Sequence, residues 1–425
     1  MIPVNAPPAP PGSRWGTLIT ALAALWALGT AASEGLMQVA ADATVLASVI
    51  LIAARRVRVP DDIRAAVLAG ATLAGYQALS PLLVHLSRGG GDWPAAGQWL
   101  HCLDTAAAPG LAVASGVGLR WATVEMAALV GWTGSVVLGM VQHLVRWEVP
   151  LPQLLRLPVE RVHEVFAPEA RPRFAAGGFF FHRLRFAHGA VALLGPALAA
   201  ALRAAPARRR WMAAWLAVTC VLAVYLSFAR AALGAVLLVA LFAALYIARG
   251  WNRRAGAAAL LALLLAVAVA PGWRVRISEA GRNLFDGERA MARAAGWDLI
   301  SRHPLLGVGF GNYRAAALER SRATGLPQHL ARDAHALWLT AWAETGLLGL
   351  LGWLAWQVLL ALALLRRARR GAWPAAGALL SLIAFQALSL VHHLPFQSSV
   401  HLTFALVWGA GLGHAGEGVQ ASARR

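Results

Sequence analysis

The sequence predicts an all-α, polytopic integral membrane protein with about twelve transmembrane helices, and three observations carry that expectation. Hydrophobic residues make up 59% of the chain and charged residues only 13%, roughly half the charge of an ordinary soluble domain, so too few charged side chains remain to cover 425 residues with water-facing surface. Apolar runs long enough to cross a bilayer core about 30 Å thick recur along the chain. Arginines gather in alternate short connections between those runs, as cytoplasmic loops do. Composition therefore excludes disorder and argues against a soluble enzyme.

The elements follow in order. Residues 1–14 are a proline-rich polar tail with no basic segment leading into a small-residue cleavage site, so the first helix is expected to be retained. Runs at 15–33, 36–54, 65–87, 105–120 and 124–143 form a first group of five helices within 15–143; the fourth is short and glycine-rich. A long connection occupies 144–186. Runs at 187–203, 211–228, 231–248 and 256–272 form a second group within 187–272, and a second long connection covers 273–335. The last group, 336–414, holds runs at 336–365, 373–391 and 399–414, followed by a tail at 415–425.

The basic connections at 55–64 (Arg55, Arg56, Arg58, Arg64), 203–210 (Arg203, Arg208, Arg209, Arg210), 249–254 (Arg249, Arg253, Arg254) and 366–370 (Arg366, Arg367, Arg369, Arg370) all fall on one side if the spans number twelve. That side is the cytoplasm, where both termini then lie. The two long connections are extracytoplasmic. The second carries ten arginines against six acids and the first seven against four, an excess that long loops tolerate but that asks for an anionic partner or a headgroup-facing surface.

Several chemistries lack their residues. Cys102 and Cys220 form no disulfide framework, and no Cys/His set has the spacing of a structural zinc site. His392, His393 and His401 cluster on the outer side without nearby acids, which makes them poor metal ligands. No phosphate-binding P-loop is present, and Gly307–Asn312 follows an amphipathic helical stretch rather than a strand, so it reads as a tight turn with exposed N–H groups, not a dinucleotide site.

The most informative segment runs from Arg289 to Gly352: RAMARAAGWDLISRHPLLGVGFGNYR, a polar stretch, then HALWLTAWAETGLLGLLG. It resembles the O-antigen ligase and polymerase family, in which an arginine ahead of an amphipathic helix is followed by an "hPllGvGfGny" element, then a histidine shortly before an "AETGllGl" span start. Here the histidine is His335, and the span start is Ala343 to Leu350. Gly177–His188 is similar to the family's motif entering the sixth span, and Ser227–Ala232 to its "SRga" turn between two spans. Ala336 stands where Asn is common and Ala231 where the turn has glycine; both departures leave the charged groups intact.

The resemblance implies a GT-C-like glycosyltransferase in the bacterial inner membrane, with its active site on the periplasmic side. It would move a glycan from an undecaprenyl-pyrophosphate-linked donor to a hydroxyl of a lipid A-core or other glycan acceptor, among membrane lipids, with no cofactor, metal or nucleic acid. Such a reaction must neutralise a leaving pyrophosphate and position or deprotonate an acceptor hydroxyl. Arginine suits the first task, because its planar fork donates bidentate hydrogen bonds to phosphate oxygens. Arg230, in a connection about two residues long, Arg289, and one of Arg183 and Arg185, with Arg185 the choice, are the candidate pyrophosphate ligands.

His335 is the candidate base or acceptor-orienting group: imidazole titrates near pH 6.5, and a helix N-terminus disfavours its charged form. Asp333 is a candidate to orient it. Trp338 and Trp342 share a helical face and suit either sugar stacking or, more simply, the membrane interface. Glu344 reads as structural, paired with an arginine. Ligase, polymerase and protein glycosyltransferase share these motifs, with ligase slightly favoured by the histidine-containing loop. A flippase or secondary transporter is the reading from another class, and it would place its charges near the midplane rather than at the outer face.

Overall fold

The computed structural model describes residues 13–88, 93–145, 164–165, 173–180, 182–203, 207–248, 251–270, 272–274, 276–278, 287–324, 334–394 and 398–414. The helices that carry the fold among the described residues include α1 Arg14–Ala32, α2 Glu34–Ala53, α3 Asp61–Arg88, α4 Ala96–Trp99, α5 Cys102–Ala114, α6 Trp121–Val145, α7 Arg183–Arg203, α8 Ala207–Ser227, α9 Arg230–Phe242, α10 Trp251–Val269, α11 Gly287–Arg302, α12 Tyr313–Thr324, α13 Leu337–Arg369, α14 Trp373–Ser389 and α15 Ser398–Gly413. A two-residue antiparallel pair, β1 Glu164–Val165 and β2 Arg173–Phe174, lies between α6 and α7.

Local signals set the boundaries. Ser13 caps α1 by accepting the Gly16 N–H at 3.1 Å, and Ser33 both ends α1 and caps α2, accepting from Leu36 N–H at 3.3 Å. Gly29 lets the two helices meet closely, since a Cβ there would lie 2.7 Å from Met37 N. Helices α7 and α14 approach through Gly195 and Gly377, where a Cβ on Gly195 would stand 2.5 Å from Gly377 O. Small residues at such crossings are how membrane helices gain contact. The centre is filled by Trp26, Trp132, Trp356, Trp408, Phe186, Phe385 and Phe404, all fully buried.

Every one of the twelve apolar runs is helical, but the count of full crossings is lower. Among the described residues, eight helices are long and apolar enough to span a membrane, or nine if the bent pair Gly256–Val269 and Gly272–Ser278 counts as one span. The helices α5, α14 and α15, with 13, 17 and 16 residues, fall short of the roughly 20 residues a crossing needs. Their side chains are mostly buried in the bundle, so neighbouring protein rather than lipid surrounds them, and an apolar run read along the sequence does not distinguish the two. Within the 273–335 connection the described residues include two helices, α11 and α12.

Polar contacts sort the helix ends. Arg367 bonds Asp62 at 2.8 Å, Arg209 pairs with Glu125, Arg203 donates to Ile247 O at 3.0 Å, and His414 stacks on Trp121 at 5.3 Å. These contacts gather the basic connections flanking α3, α8 and α13 at one end of the bundle. The starts of α2, α5, α7, α9 and α15 lie at the opposite, distal end, where the candidate site is built.

Candidate active site

Two segments far apart in sequence lock together at the distal end. Gly346 adopts φ +67° and ψ −174°, a non-helical conformation inside α13 that is essentially restricted to glycine. The break frees two carbonyls: Ala343 O accepts from Val308 N–H at 2.9 Å and Glu344 O from Gly309 N–H at 2.8 Å, while Leu347 N–H donates to Pro304 O at 2.9 Å. The crossing tolerates no side chain. A Cβ on Gly346 would lie 2.5 Å from Leu306 N, and one on Gly307 2.6 Å from Gly346 N.

Neighbouring groups complete the clamp. Arg88 donates to Gly307 O at 2.5 Å, Ser80 Oγ accepts from Phe310 N–H at 2.9 Å, and the Tyr76 hydroxyl donates to Thr345 O at 2.8 Å. The Glu344 carboxylate accepts the Tyr313 N–H at 3.3 Å, at the positive start of α12. Among the described residues its partner is backbone, not the arginine that the sequence suggested, because the Gly-rich turn delivers a helix N-terminus to it.

Behind this clamp opens a cavity of about 290 Å³, lined by residues from both motif segments, including Phe310, Tyr313 and Glu344, and by Gln77, His101, Arg185 and His393. A polar web supports its wall. Asp104, 1% exposed, lies 3.1 Å from His101 Nδ1 and accepts from Gln38 at 2.8 Å; Gln38 also reaches Asp42 at 3.1 Å. Ser398 Oγ sits 2.8 Å from the same His101 Nδ1, and Thr105 donates to Gln77 at 2.8 Å. The hydrogen bond to Asp104 is the main cause that raises the His101 pKa above the ordinary 6.5, with Glu34 and Asp42 adding attraction and burial opposing.

A second feature is a cluster of guanidinium groups. The turn between α8 and α9 is held by Phe228 at φ +52°, a left-handed conformation costing a bulky residue about 1–3 kcal/mol. Phe228 is pinned against Trp273 and His143, with ring centroids 5.5 and 6.0 Å apart, and Ser227 Oγ accepts from Ala229 N–H at 3.2 Å. The turn makes Arg230 the first residue of α9. Its guanidinium donates to Arg276 O at 3.2 Å, and Arg183, the first residue of α7, feels the charges of both Arg276 and Arg230. Two of the three cations therefore start helices, where the macrodipole disfavours positive charge.

Of the residues singled out in the sequence, Arg230 falls in this cluster. Arg183 joins it rather than Arg185, which lines the cavity and pairs with Glu34 at 2.6 Å. Two residues apart at a helix start, they are some 200° apart around the axis. Arg289 lies in the first turn of α11, half-buried. His335 stands two residues before α13, next to its N-cap Ala336, at φ +53°. Ala334 and Ala336 on either side are buried with Leu299, Ile300 and Leu339 in a small core between α11, α12 and α13, which fixes its backbone. Asp333 lies outside the described residues.

Trp338 and Trp342 pack on Trp297 of α11 at 5.7 and 5.8 Å, and Trp342 donates to Pro304 O at 3.0 Å, so the pair is engaged in holding α11 and the Gly-rich element. His392 packs on His188 at 4.9 Å, and both cysteines are free and buried.

Residues 215–354 match the O-antigen ligase family. The O-antigen ligase match covers about a third of the chain, from within α8 to within α13. It takes in Arg230, Arg276, Arg289, the Gly-rich element, His335 and Glu344, but not Arg183, Arg185 or the His101–Asp104 pair. The family is one of glycosyltransferase-like ligases and polymerases, and the eight long apolar helices among the described residues are consistent with a multi-pass membrane protein. No curated protein matches the chain.

Proposed function

We propose that this protein is an O-antigen ligase-type enzyme that transfers a glycan from undecaprenyl pyrophosphate to a hydroxyl of a lipid A-core sugar at the periplasmic face of the inner membrane. The observation that carries this reading is the grouping of Arg183, Arg230 and Arg276, two of them at helix starts. Three like charges, two of them at positive helix ends, repel one another. A pyrophosphate offsets that cost, accepting charge-assisted hydrogen bonds from several guanidinium groups at once. Cations arranged beforehand stabilise the charge that develops on the leaving group more than they stabilise the bound donor, and guanidinium groups do so without requiring a metal.

Arg289 and Arg185 extend the positive surface toward the donor glycan and the cavity. His335, held by buried alanines on both sides, serves as base or acceptor-orienting group. The family match, the distal position of the site and the excess of arginine in the long connections support the reading. Arg230→Ala is expected to lower transfer at least 100-fold, the usual scale for loss of one preorganised electrostatic contact, with Arg230→Lys intermediate because an ammonium lacks the bidentate fork.

The test is deletion of the gene with restoration by wild type, Arg230→Ala or His335→Ala, reading surface glycan and the undecaprenyl-linked pool by gel and mass spectrometry. Long glycan stranded on the carrier in the deletion and in both variants supports a ligase. Single repeat units on the carrier indicate a polymerase, and an unchanged pool and surface overturn the proposal.

A further inference from the structure

The cavity wall contains a histidine and a buried carboxylate that lie outside the matched residues. Asp104 is 1% exposed and sits near the distal membrane surface, where an ionisable group is expensive unless it is paired or at work. It is doubly held, by Gln38 at 2.8 Å and by His101 at 3.1 Å. A carboxylate only accepts hydrogen bonds, so the pairing puts the proton of a neutral imidazole on Nδ1, and Ser398 Oγ, 2.8 Å away, braces the same atom. Nε2 is then the basic nitrogen. Ser398 Oγ lies 3.5 Å from it, at the limit of hydrogen-bonding range, so it is open to a better partner. The ring is 37% exposed and lines the cavity that also presents Arg185, Tyr313 and Glu344. A carboxylate that fixes the tautomer and stabilises the imidazolium is the arrangement that turns a histidine into an effective base.

We infer that His101, oriented by Asp104 and Ser398, accepts the proton of the acceptor sugar hydroxyl in this cavity, leaving to His335 the orienting part of its role. The inference rests on the glycan-transfer reading above. In the step, the acceptor oxygen forms a bond to the anomeric carbon of the donor. The bond from that carbon to the phosphate oxygen breaks, and its electron pair leaves with the pyrophosphate. The hydroxyl proton passes to His101 Nε2, where the Asp104 carboxylate balances the new charge. The charged groups facing His101 are Asp104 of α5 and Glu34 and Asp42 on α2, with Glu344 of α13 and the ring of His401 on α15 also within electrostatic reach, and the cations Arg185 of α7, held by Glu34 at 2.6 Å, and Arg314 of α12 line the same cavity. Asp104, Glu34 and Asp42 favour an imidazolium and so hold proton transfer in the forward direction.

The experiment uses the purified full chain in detergent, an undecaprenyl-pyrophosphate-linked glycan as donor and O-antigen-free lipopolysaccharide as acceptor. His101→Ala is expected to lose 100-fold or more in kcat, within the range for a general base. Asp104→Asn is expected to lose tenfold or more and to move the acidic limb of the pH–rate profile to lower pH, because the carboxylate that raises the His101 pKa is gone. A merely structural Asp104 would lower the rate without moving that limb. A readout independent of transfer accompanies it: carbethoxylation of His101 by diethyl pyrocarbonate, followed by mass spectrometry across pH, is expected to show a midpoint that falls in Asp104→Asn. If wild type transfers glycan while His101→Ala keeps its rate or the limb stays in place, the inference fails alone. If wild type does not transfer, the functional reading fails, and an unmoved carbethoxylation midpoint then removes the His101–Asp104 pair as well.

Discussion

Substituting Gly346 by alanine tests whether the crossing of the two motif segments builds the site. The residue's φ +67° and ψ −174° lie in a region that costs an L-residue about 1–3 kcal/mol even in open space. Space is absent, because the new Cβ meets the Leu305 carbonyl and lies 2.5 Å from Leu306 N, backbone atoms that cannot rotate away. Relief requires the Pro304–Gly311 element to withdraw from α13, which breaks the bonds from Val308, Gly309 and Leu347, each worth about 0.5–1.5 kcal/mol net. Strain and lost bonds together amount to roughly 3–7 kcal/mol, enough to undock the element without unfolding the bundle. Thermal unfolding in detergent, limited proteolysis across α11 and α12, and complementation of a deletion strain measure it. Gly75→Ala is the control: a Cβ there meets nothing within 4 Å, so helix propensity makes it neutral or stabilising by up to about 1 kcal/mol. A Gly346→Ala protein as protease-resistant, heat-stable and active as Gly75→Ala would refute the argument.

Two further predictions follow from other contacts. Burial opposes ionisation of Asp298, but Arg320 at 2.6 Å and Arg302 at 3.3 Å outweigh it and hold its carboxyl below the usual 3.8. The folded pKa is depressed, so the link between α11 and α12 contributes above the unfolded pKa and is lost as pH falls through the lower folded value. Acidification below about pH 4 is therefore expected to speed proteolysis between α11 and α12, and Asp298→Asn to remove that pH dependence; equal cleavage at all pH values in wild type would count against the link. The orientation predicts that a cysteine at Ser301 reacts with an impermeant maleimide in intact cells stripped of their outer membrane, and one at Arg56 only after lysis. The reverse pattern would invert the topology. The native Cys102 and Cys220 are buried and should stay silent.

Much of the architecture was legible because membrane helices announce themselves by composition. The apolar runs coincide with helices among the described residues, some with ends displaced by up to six residues, as at 105–120 against Cys102–Ala114, and the closest boundaries fall at capping serines such as Ser13 and Ser33. The number of full crossings was not legible: α14 and α15 are as apolar as lipid-facing helices yet are wrapped by protein. The site was half legible. Arg230, Arg289, His335 and the two glycine motifs stand in recognisable local patterns. Arg183 and Arg185 could be set apart only by the phase of α7, and Arg276 and the His101–Asp104 pair belong to no motif. A faint signal existed for that pair, in the form of an acid three residues after a histidine at the start of an apolar run.

The sequence by itself determined the solvent in which this protein folds, the order of its helices and the motifs within residues 215–354, which match the O-antigen ligase family. Those are properties of hydropathy and local pattern, read within windows of a few to twenty residues. Tertiary structure alone decided which residues meet: Gly307 with Gly346, Arg183 with Arg230 and Arg276, His101 with Asp104 and Ser398. Each meeting depends on how helices far apart in the chain cross and rotate, and that is set by close packing at Gly29, Gly195 and Gly377 and by buried polar partners. These are distance-dependent interactions that act across hundreds of residues, and their geometry is encoded only in the folded whole.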